Sequence, residues 1–229
     1  NIHHIPFPYP WKVNNDNSEE FLNKSLNKIK KKINLNKDVC GIMLETFQGW
    51  GAIFYPKKYI KALAKICRKN NILIAFDEMQ SGFSRTGKNF GFEHYDIKPD
   101  LICCGKGMGG GIAVSGVIGK KKIMDLPEVG NMSSTNSANP IACSAGLAVI
   151  EEISKKKLTQ NSKIKGQYLH KGLKKIEKKF PDLFTVYGKG LIASLVFDTR
   201  IKNINKKLKL VVEDSMSKGL LLCYTGRES

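Results

Sequence analysis

Arginine is scarce in this chain of 229 residues: four arginines stand against 34 lysines. The scarcity decides how the formal net charge of +18 is read. A charge of that size invites a nucleic-acid interpretation, but binders of bases and phosphates favour the planar, bidentate guanidinium. Here the charge is almost all lysine, dispersed through "KIKKKI", "PKKY", "GKKKI", "SKKKL" and "LKKIEKK" rather than massed among aromatics. The 17 asparagines beside them match the output of an AT-rich coding sequence. The lysine runs therefore read as solvated faces. No nucleic-acid partner is expected, and a basic nucleic-acid-binding protein is kept only as a distant alternative.

Other absences narrow the class further. No apolar run approaches the roughly 18 to 20 residues of a membrane span, so no membrane partner is expected. The opening "NIHHIPFPYPWK" does not have the basic-then-apolar order of a signal peptide. A starting methionine is missing, and "CYTGRES" ends without a helix cap, so the chain reads as a piece of something longer. The six cysteines form no CxxC pair and sit mostly in apolar contexts. They are expected to be buried, reduced thiols of a cytoplasmic protein. The four histidines have no metal-ligand spacing, with His3 and His4 adjacent and His94 and His170 isolated, so no metal site is expected.

At 41% hydrophobic, a chain of this length can bury a sizeable core. "SEEFLNKSLNKIKKKI" places Leu22, Leu26, Ile29 and Ile33 on one helical face, with Ser18 as cap. "VCGIMLE" reads as a buried strand ending at Glu45. A helix from about Pro56 to Asn70 follows, with Tyr59, Ile60, Leu63 and Cys67 inward. "ILIAF" is a second strand, closed by Asp77 and Glu78; "LICC" is a third, and "IAVSGVIG" a fourth. Buried strands alternating with amphipathic helices predict an α/β domain, with a mostly parallel sheet sandwiched by helices. Near Lys157 the pattern changes to a long helix marked by Ile164, Tyr168, Leu173 and Ile176. "LIASLVFD", a helix and "LLLC" then read as the start of a small α+β unit. The expected division is residues 1–157 and 158–229.

Ligands of open α/β sheets gather at the carboxyl ends of the strands. Asp77, Gln80 and Lys106 fall there. The ordinary role of a strand-end aspartate is to cap a turn, and one lysine among 34 is ordinarily a solvated charge. Lys106 differs in following a buried strand between Gly105 and Gly107, where its amine is expected to enter an enclosed loop. Desolvation there would favour the neutral, nucleophilic amine. A phosphate-binding P-loop does not fit "LICCGKGMGGG": Asp100 stands where it needs glycine, and Gly107 where it needs Ser or Thr. "GKGMGG" matches GxGxxG, with Asp125 downstream, but runs into the strand-like "IAVSGVIG" instead of opening a helix. A lysine paired with a strand-end carboxylate does suit pyridoxal phosphate. Its aldehyde takes the lysine as a Schiff base, and a carboxylate keeps its pyridine nitrogen protonated.

The blocks "LIAFDEMQSGFSRTGKNFGFEHYDIKPDLICCGKGMGGG", "VSGVIGKKKIMD" and "SSTNSANPIACSAGLAVIEEI" resemble the class III (subgroup II) aminotransferases, the group of ornithine, acetylornithine and 4-aminobutyrate aminotransferases. The resemblance is strong over about residues 39 to 155 and weaker elsewhere. It implies the large domain of a fold type I pyridoxal-phosphate transferase, followed by the start of its small C-terminal domain. The implied reaction moves an amino group from an amino acid or amine to a 2-oxo acid by a ping-pong route. An aminomutase or a decarboxylase of the same fold would use the same residues. Asp77 is implied to pair with the pyridine nitrogen of pyridoxal 5'-phosphate, and Gln80 to hydrogen-bond its phenolic oxygen. Lys106 would be the Schiff-base lysine and then the base that moves a proton between substrate Cα and cofactor C4′. Thr135 would reach the cofactor phosphate of a neighbouring subunit, which implies a homodimer.

Two positions depart from the family pattern. Met79 replaces the usual valine before the glutamine, and Trp50 stands where relatives that handle ω-amino groups often carry a glutamate gating a substrate-binding arginine. The family's phosphate-cradling turn and ring-stacking aromatic are expected before Asn1, and its substrate arginine after Ser229; Arg227 is not assigned that role. The 229 residues alone are expected to be inactive.

Overall fold

The computed structural model describes residues 2–12, 18–35 and 38–225. The Ser18 side chain and Arg227 lie outside what is described. Helix α1 (Ser18–Leu35) and helix α2 (Lys57–Lys69) flank strand β1 (Gly41–Glu45) in sequence and pack on each other. Between β1 and α2, the two-residue strands β2 (Phe47–Gln48) and β3 (Ile53–Phe54) form a small antiparallel hairpin. The chain then enters the main sheet through β4 (Leu73–Asp77), β5 (Leu101–Cys104) and β6 (Gly116–Gly119).

The sheet order is β1-β4-β5-β6. The β1–β4 and β4–β5 pairs are parallel, and β6 closes one edge antiparallel to β5. The apolar run Leu73–Phe76 suits the interior position that β4 occupies: Ile74 is 3% exposed and Phe76 is fully buried. Both face a core built with Leu26 and Ile29 of α1 and with Tyr59, Ile60, Leu63 and Cys67 of α2. The inward residues of α2 are those its periodicity predicts. Each such apolar side chain contributes roughly 1.5–3 kcal/mol by leaving water, which holds α2 against β4. On the opposite face, Met43 of β1 is exposed, as is Val117 of β6.

After β6, a single-turn helix α3 (Lys121–Met124) leads into an exposed loop. Helix α4 (Pro140–Lys155) follows, capped by the Asn139 carboxamide, which accepts hydrogen bonds from Ile141 N and Ala142 N. Lys157, in the left-handed region at φ 51°, makes the turn into helix α5 (Leu158–Lys179). The hairpin β7 (Phe184–Lys189) and β8 (Ile192–Phe197) packs on α5, and helix α6 (Ile204–Ser217) ends the described elements. The loop after β4 is tied to this later part of the chain. Ser84 Oγ and Thr159 Oγ1 are hydrogen-bonded at 2.6 Å, Thr159 also donates to Asn89 Oδ1, and Leu191 N donates to Arg85 O at 3.0 Å.

Helix α5 buries the small residues Ser162 and Gly166, while of the apolar residues that mark it in sequence Ile164, Tyr168 and Ile176 are exposed and Leu173 is half-buried. One expectation is corrected. The cysteines divide. Cys67 and Cys104 are buried and Cys103 is partly so, but Cys40, Cys143 and Cys223 are exposed. Cys40 precedes β1, Cys143 lies on the first turn of α4 near the exposed Ile141, and Cys223 follows α6. An apolar neighbourhood in sequence buries a thiol only where the element itself is covered.

Candidate active site

Because β1, β4 and β5 run parallel, their carboxyl ends lie along one edge. The register aligns Glu45 with Asp77, and Asp77 with Cys103. Beyond this row the loops after the three strands meet in a concave pocket. It is lined by Glu45, Thr46 and Phe47 after β1, by Asp77, Met79, Gln80 and Ser81 after β4, and by Lys106 after β5. Three of the four residues singled out from sequence are thus brought together. Thr135 is not: it lies in the exposed loop between α3 and α4 and does not line the pocket.

Asp77 is partly buried, and its Oδ1 accepts a hydrogen bond from Met79 N at 2.9 Å. The turn-capping role and the pocket-facing role therefore coexist in one carboxylate. The thiol of Cys103 beside it is pushed upward from its ordinary range, first by burial and then by the Asp77 charge. Gln80 is exposed at the mouth, close to Gly49, and Gly49 N donates to Glu45 Oε2 at 3.2 Å. A carboxylate, a carboxamide and an amine so share one concavity.

The glycine stretch shows why it carries so few side chains. A Cβ on Gly105 would sit 2.4 Å from Met79 Sδ, so a side chain at residue 105 would require the end of the flexible Met79 side chain to move aside. Lys106 then takes φ 41°, the left-handed region that non-glycine residues seldom adopt, and opens a single turn of 3-10 helix to Gly109. Against expectation, Lys106 is exposed. Gly107, Gly110 and Gly111 beside it have no side chains to wall off the amine, and they are exposed too. The enclosure expected from sequence is not supplied by the described residues.

Trp50 does not line the pocket. Its ring lies 5.9 Å from Trp11 and 6.0 Å from Tyr9, and its amide donates to Gln48 Oε1. Trp50 is thus part of an aromatic cluster with the proline-rich opening segment.

Sequence reasoning missed Glu45, Thr46, Phe47 and Ser81. Glu45 was within reach, since it is a strand-end carboxylate by the same rule that selected Asp77. Thr46 and Ser81 gave no such signal, because their placement depends on a buried carboxylate, Glu78, to which both donate. Elsewhere, His94 has its basicity lowered to about 4, mainly by burial and then by Lys189. No described helix is long and apolar enough to cross a membrane, and no cluster of three or more His, Cys, Asp or Glu among the described residues could hold a metal.

Comparison with known proteins gives a consistent result. The family model "Aminotransferase class-III" matches residues 1–229. An acetylornithine aminotransferase of Caldanaerobacter subterraneus subsp. tengcongensis is 37% identical over 190 residues, 82% of this chain and 46% of that protein. A leucine/methionine racemase of Thermococcus litoralis is 39% identical over 191 residues, 81% of this chain and 43% of that protein. Among solved structures, a protein from a study of transaminases evolved by ancestral reconstruction superposes with a TM-score of 0.89 at 29% identity, over 98% of this chain and 53% of that one. The chain spans about half the length of the curated relatives it matches.

Proposed function

Because this chain belongs to the class-III aminotransferase family, we propose that the whole protein transfers an amino group from an amino acid or amine to a 2-oxo acid, with pyridoxal 5'-phosphate held in the pocket at the carboxyl ends of β1, β4 and β5. The observation that carries this reading is the convergence on that pocket of Asp77 and Gln80 from the end of β4 and of Lys106 from the loop after β5. The donor set fits the group: a carboxylate for a protonated ring nitrogen, a carboxamide for a phenolic oxygen, and an amine for an aldehyde. When bound, pyridoxal phosphate supplies an aldehyde that links to a lysine and a ring that accepts electrons.

The roles of the chain's own residues follow from their chemistry. Asp77 holds its negative charge at the pocket wall, steadied by the Met79 amide. Gln80 donates from the mouth. Lys106 is the covalent anchor and, once released, holds and moves the proton at the substrate Cα. Its exposure leaves the amine accessible. Thr135 acts on the cofactor phosphate of a second copy in a homodimer. Its exposure, together with the exposed Ile141, Leu147 and Ile150 of α4, supports such a face. Residues 1–157 form the cofactor-binding domain and 158–229 the start of a second, divided at the Lys157 turn. A cytoplasmic location suits the free cysteines, three of them exposed.

A second reading is amino-acid racemisation, favoured by the likeness to the leucine/methionine racemase. It would use Lys106 at the same Cα. The deciding experiment incubates full-length protein and pyridoxal phosphate with single-enantiomer amino donors, with and without a 2-oxo acid. Aminotransfer yields a new amino acid only when the 2-oxo acid is present. Appearance of the opposite enantiomer without it selects racemisation, a shifted amino group selects an aminomutase, and release of carbon dioxide selects a decarboxylase.

A further inference from the structure

Glu78 follows Asp77 directly, does not line the pocket, and is 0% exposed. Taking a carboxylate out of water costs several kcal/mol unless its oxygens are matched. No lysine or arginine pairs with it among the described residues. Instead four donors reach it. Oε1 accepts from Thr46 Oγ1 and from Phe92 N at 2.7 Å; Oε2 accepts from Ser81 Oγ at 2.6 Å and Gly91 N at 2.8 Å. Two donors on each oxygen fill the accepting capacity of a carboxylate.

The donors come from three separate segments. Thr46 follows β1, Ser81 follows β4, and Gly91 and Phe92 open the short 3-10 turn Gly91–Tyr95. The approach is close: a Cβ on Gly91 would lie 2.6 Å from Thr46 Cγ2 and 2.7 Å from Ser81 Cβ. A further tie runs through Tyr95, whose hydroxyl donates to Thr46 O at 2.5 Å and accepts from Tyr55 N at 3.1 Å. Thr46 and Ser81 both line the pocket. One buried anion therefore joins the strand-end loop carrying Glu45 to the one carrying Asp77 and Gln80. An apolar side chain could fill the same space without the desolvation cost, but it could not direct four donors to fixed points.

We propose that Glu78 is a positioning residue for the pocket: through Thr46 and Ser81 it sets where Asp77 and Gln80 stand relative to a cofactor anchored on Lys106. This rests on the functional reading above. Glu78 touches neither substrate nor cofactor. Its effect is on placement, and a misplacement of about 1 Å at a reacting site costs on the order of 100-fold in rate.

The test compares wild type, Glu78→Gln and Ser81→Ala in the full-length protein. Glutamine matches glutamate in shape, but its NH2 meets donors and cannot accept from them. Glu78→Gln is expected to bind pyridoxal phosphate at Lys106, to lose about 10- to 100-fold in kcat with KM changed about twofold or less, and to shift the pH midpoint of the absorbance of the Lys106-linked cofactor. Ser81→Ala keeps the carboxylate and removes one donor, so it should shift the midpoint less in the same direction. It also supplies the readout if Glu78→Gln does not fold. If the variants lower only the thermal midpoint, while absorbance midpoint and kcat per bound cofactor stay at wild-type values, Glu78 holds the fold alone and the proposal is wrong. Wild-type protein that takes up no pyridoxal phosphate sinks the functional reading and this proposal together.

Discussion

Gly105 and Met79 meet where β5 and β4 end, with no room between them: a Cβ at 105 would lie 2.4 Å from Met79 Sδ. Gly105→Ala should therefore push Met79 or the Lys106 turn aside. Because the clash is with the flexible end of Met79, the expected cost is at the low end of overpacking, about 1 kcal/mol, with a fall in cofactor retention. Valine has no δ atom, so Met79→Val should rescue Gly105→Ala. The check is a double-mutant cycle on unfolding midpoints and bound pyridoxal phosphate. Strict additivity of the two changes would refute the contact.

Lys106 is the covalent anchor in the proposed function. Borohydride reduction of the full-length protein with pyridoxal phosphate should fix the cofactor on the peptide containing Lys106. Peptide mapping that finds the label on any other lysine overturns the assignment. Lys106→Ala should abolish turnover and leave the unfolding midpoint within a few degrees of wild type, since the side chain is exposed.

Asp77 contributes a negative charge at the pocket wall. Asp77→Asn keeps the shape and an oxygen to accept from Met79 N, but removes the charge. Losing one preorganised electrostatic group at a reacting centre typically costs 100- to 1,000-fold in kcat, and a drop of about that size or larger is expected. Steady-state rates near wild type would take Asp77 out of the site.

His94 predicts a pH dependence of stability. Its ring is held near Thr86 Oγ1 and Phe54, and Lys189, Lys88 and Lys57 oppose its protonation. In the fold it takes a proton at about 4, against 6.5 for the unperturbed group. The unfolded chain therefore binds the proton first as the pH falls. Stability is fully present above about 6.5 and is lost as the pH falls toward about 4. His94→Gln should flatten that part of the profile. Denaturant midpoints of both proteins across the window give the difference, and parallel profiles would exclude His94.

Most of the sheet was legible because its signal is local. The run "LIAF" fixes an element, and the spacing of Tyr59, Ile60, Leu63 and Cys67 fixes an element and its inward face, without knowledge of the rest. Asp77, Gln80 and Lys106 were legible because strand ends can be read from the same runs. The enclosure of Lys106 was not, since walls come from residues distant in sequence. Glu78 was hidden for a related reason. A buried carboxylate is tolerable only where donors from other segments converge, and nothing near Glu78 announces Gly91 or Thr46. Helix α5 buries the small residues Ser162 and Gly166, which its apolar pattern does not mark.

The in-register row of Glu45, Asp77 and Cys103 also governs when the pocket comes into being. Three parallel strands return to one edge only after two crossovers, and such non-local pairings form slowly compared with helices or hairpins. With only α1, α2 and β1 in place, Glu45 and Thr46 would have no opposing wall. Neither anchor nor counter-charge stands in position until β5 docks beside β4. Cofactor uptake during refolding should thus track the β4–β5 pairing, making the rate of pyridoxal phosphate capture a clock for that step rather than for the β6 edge.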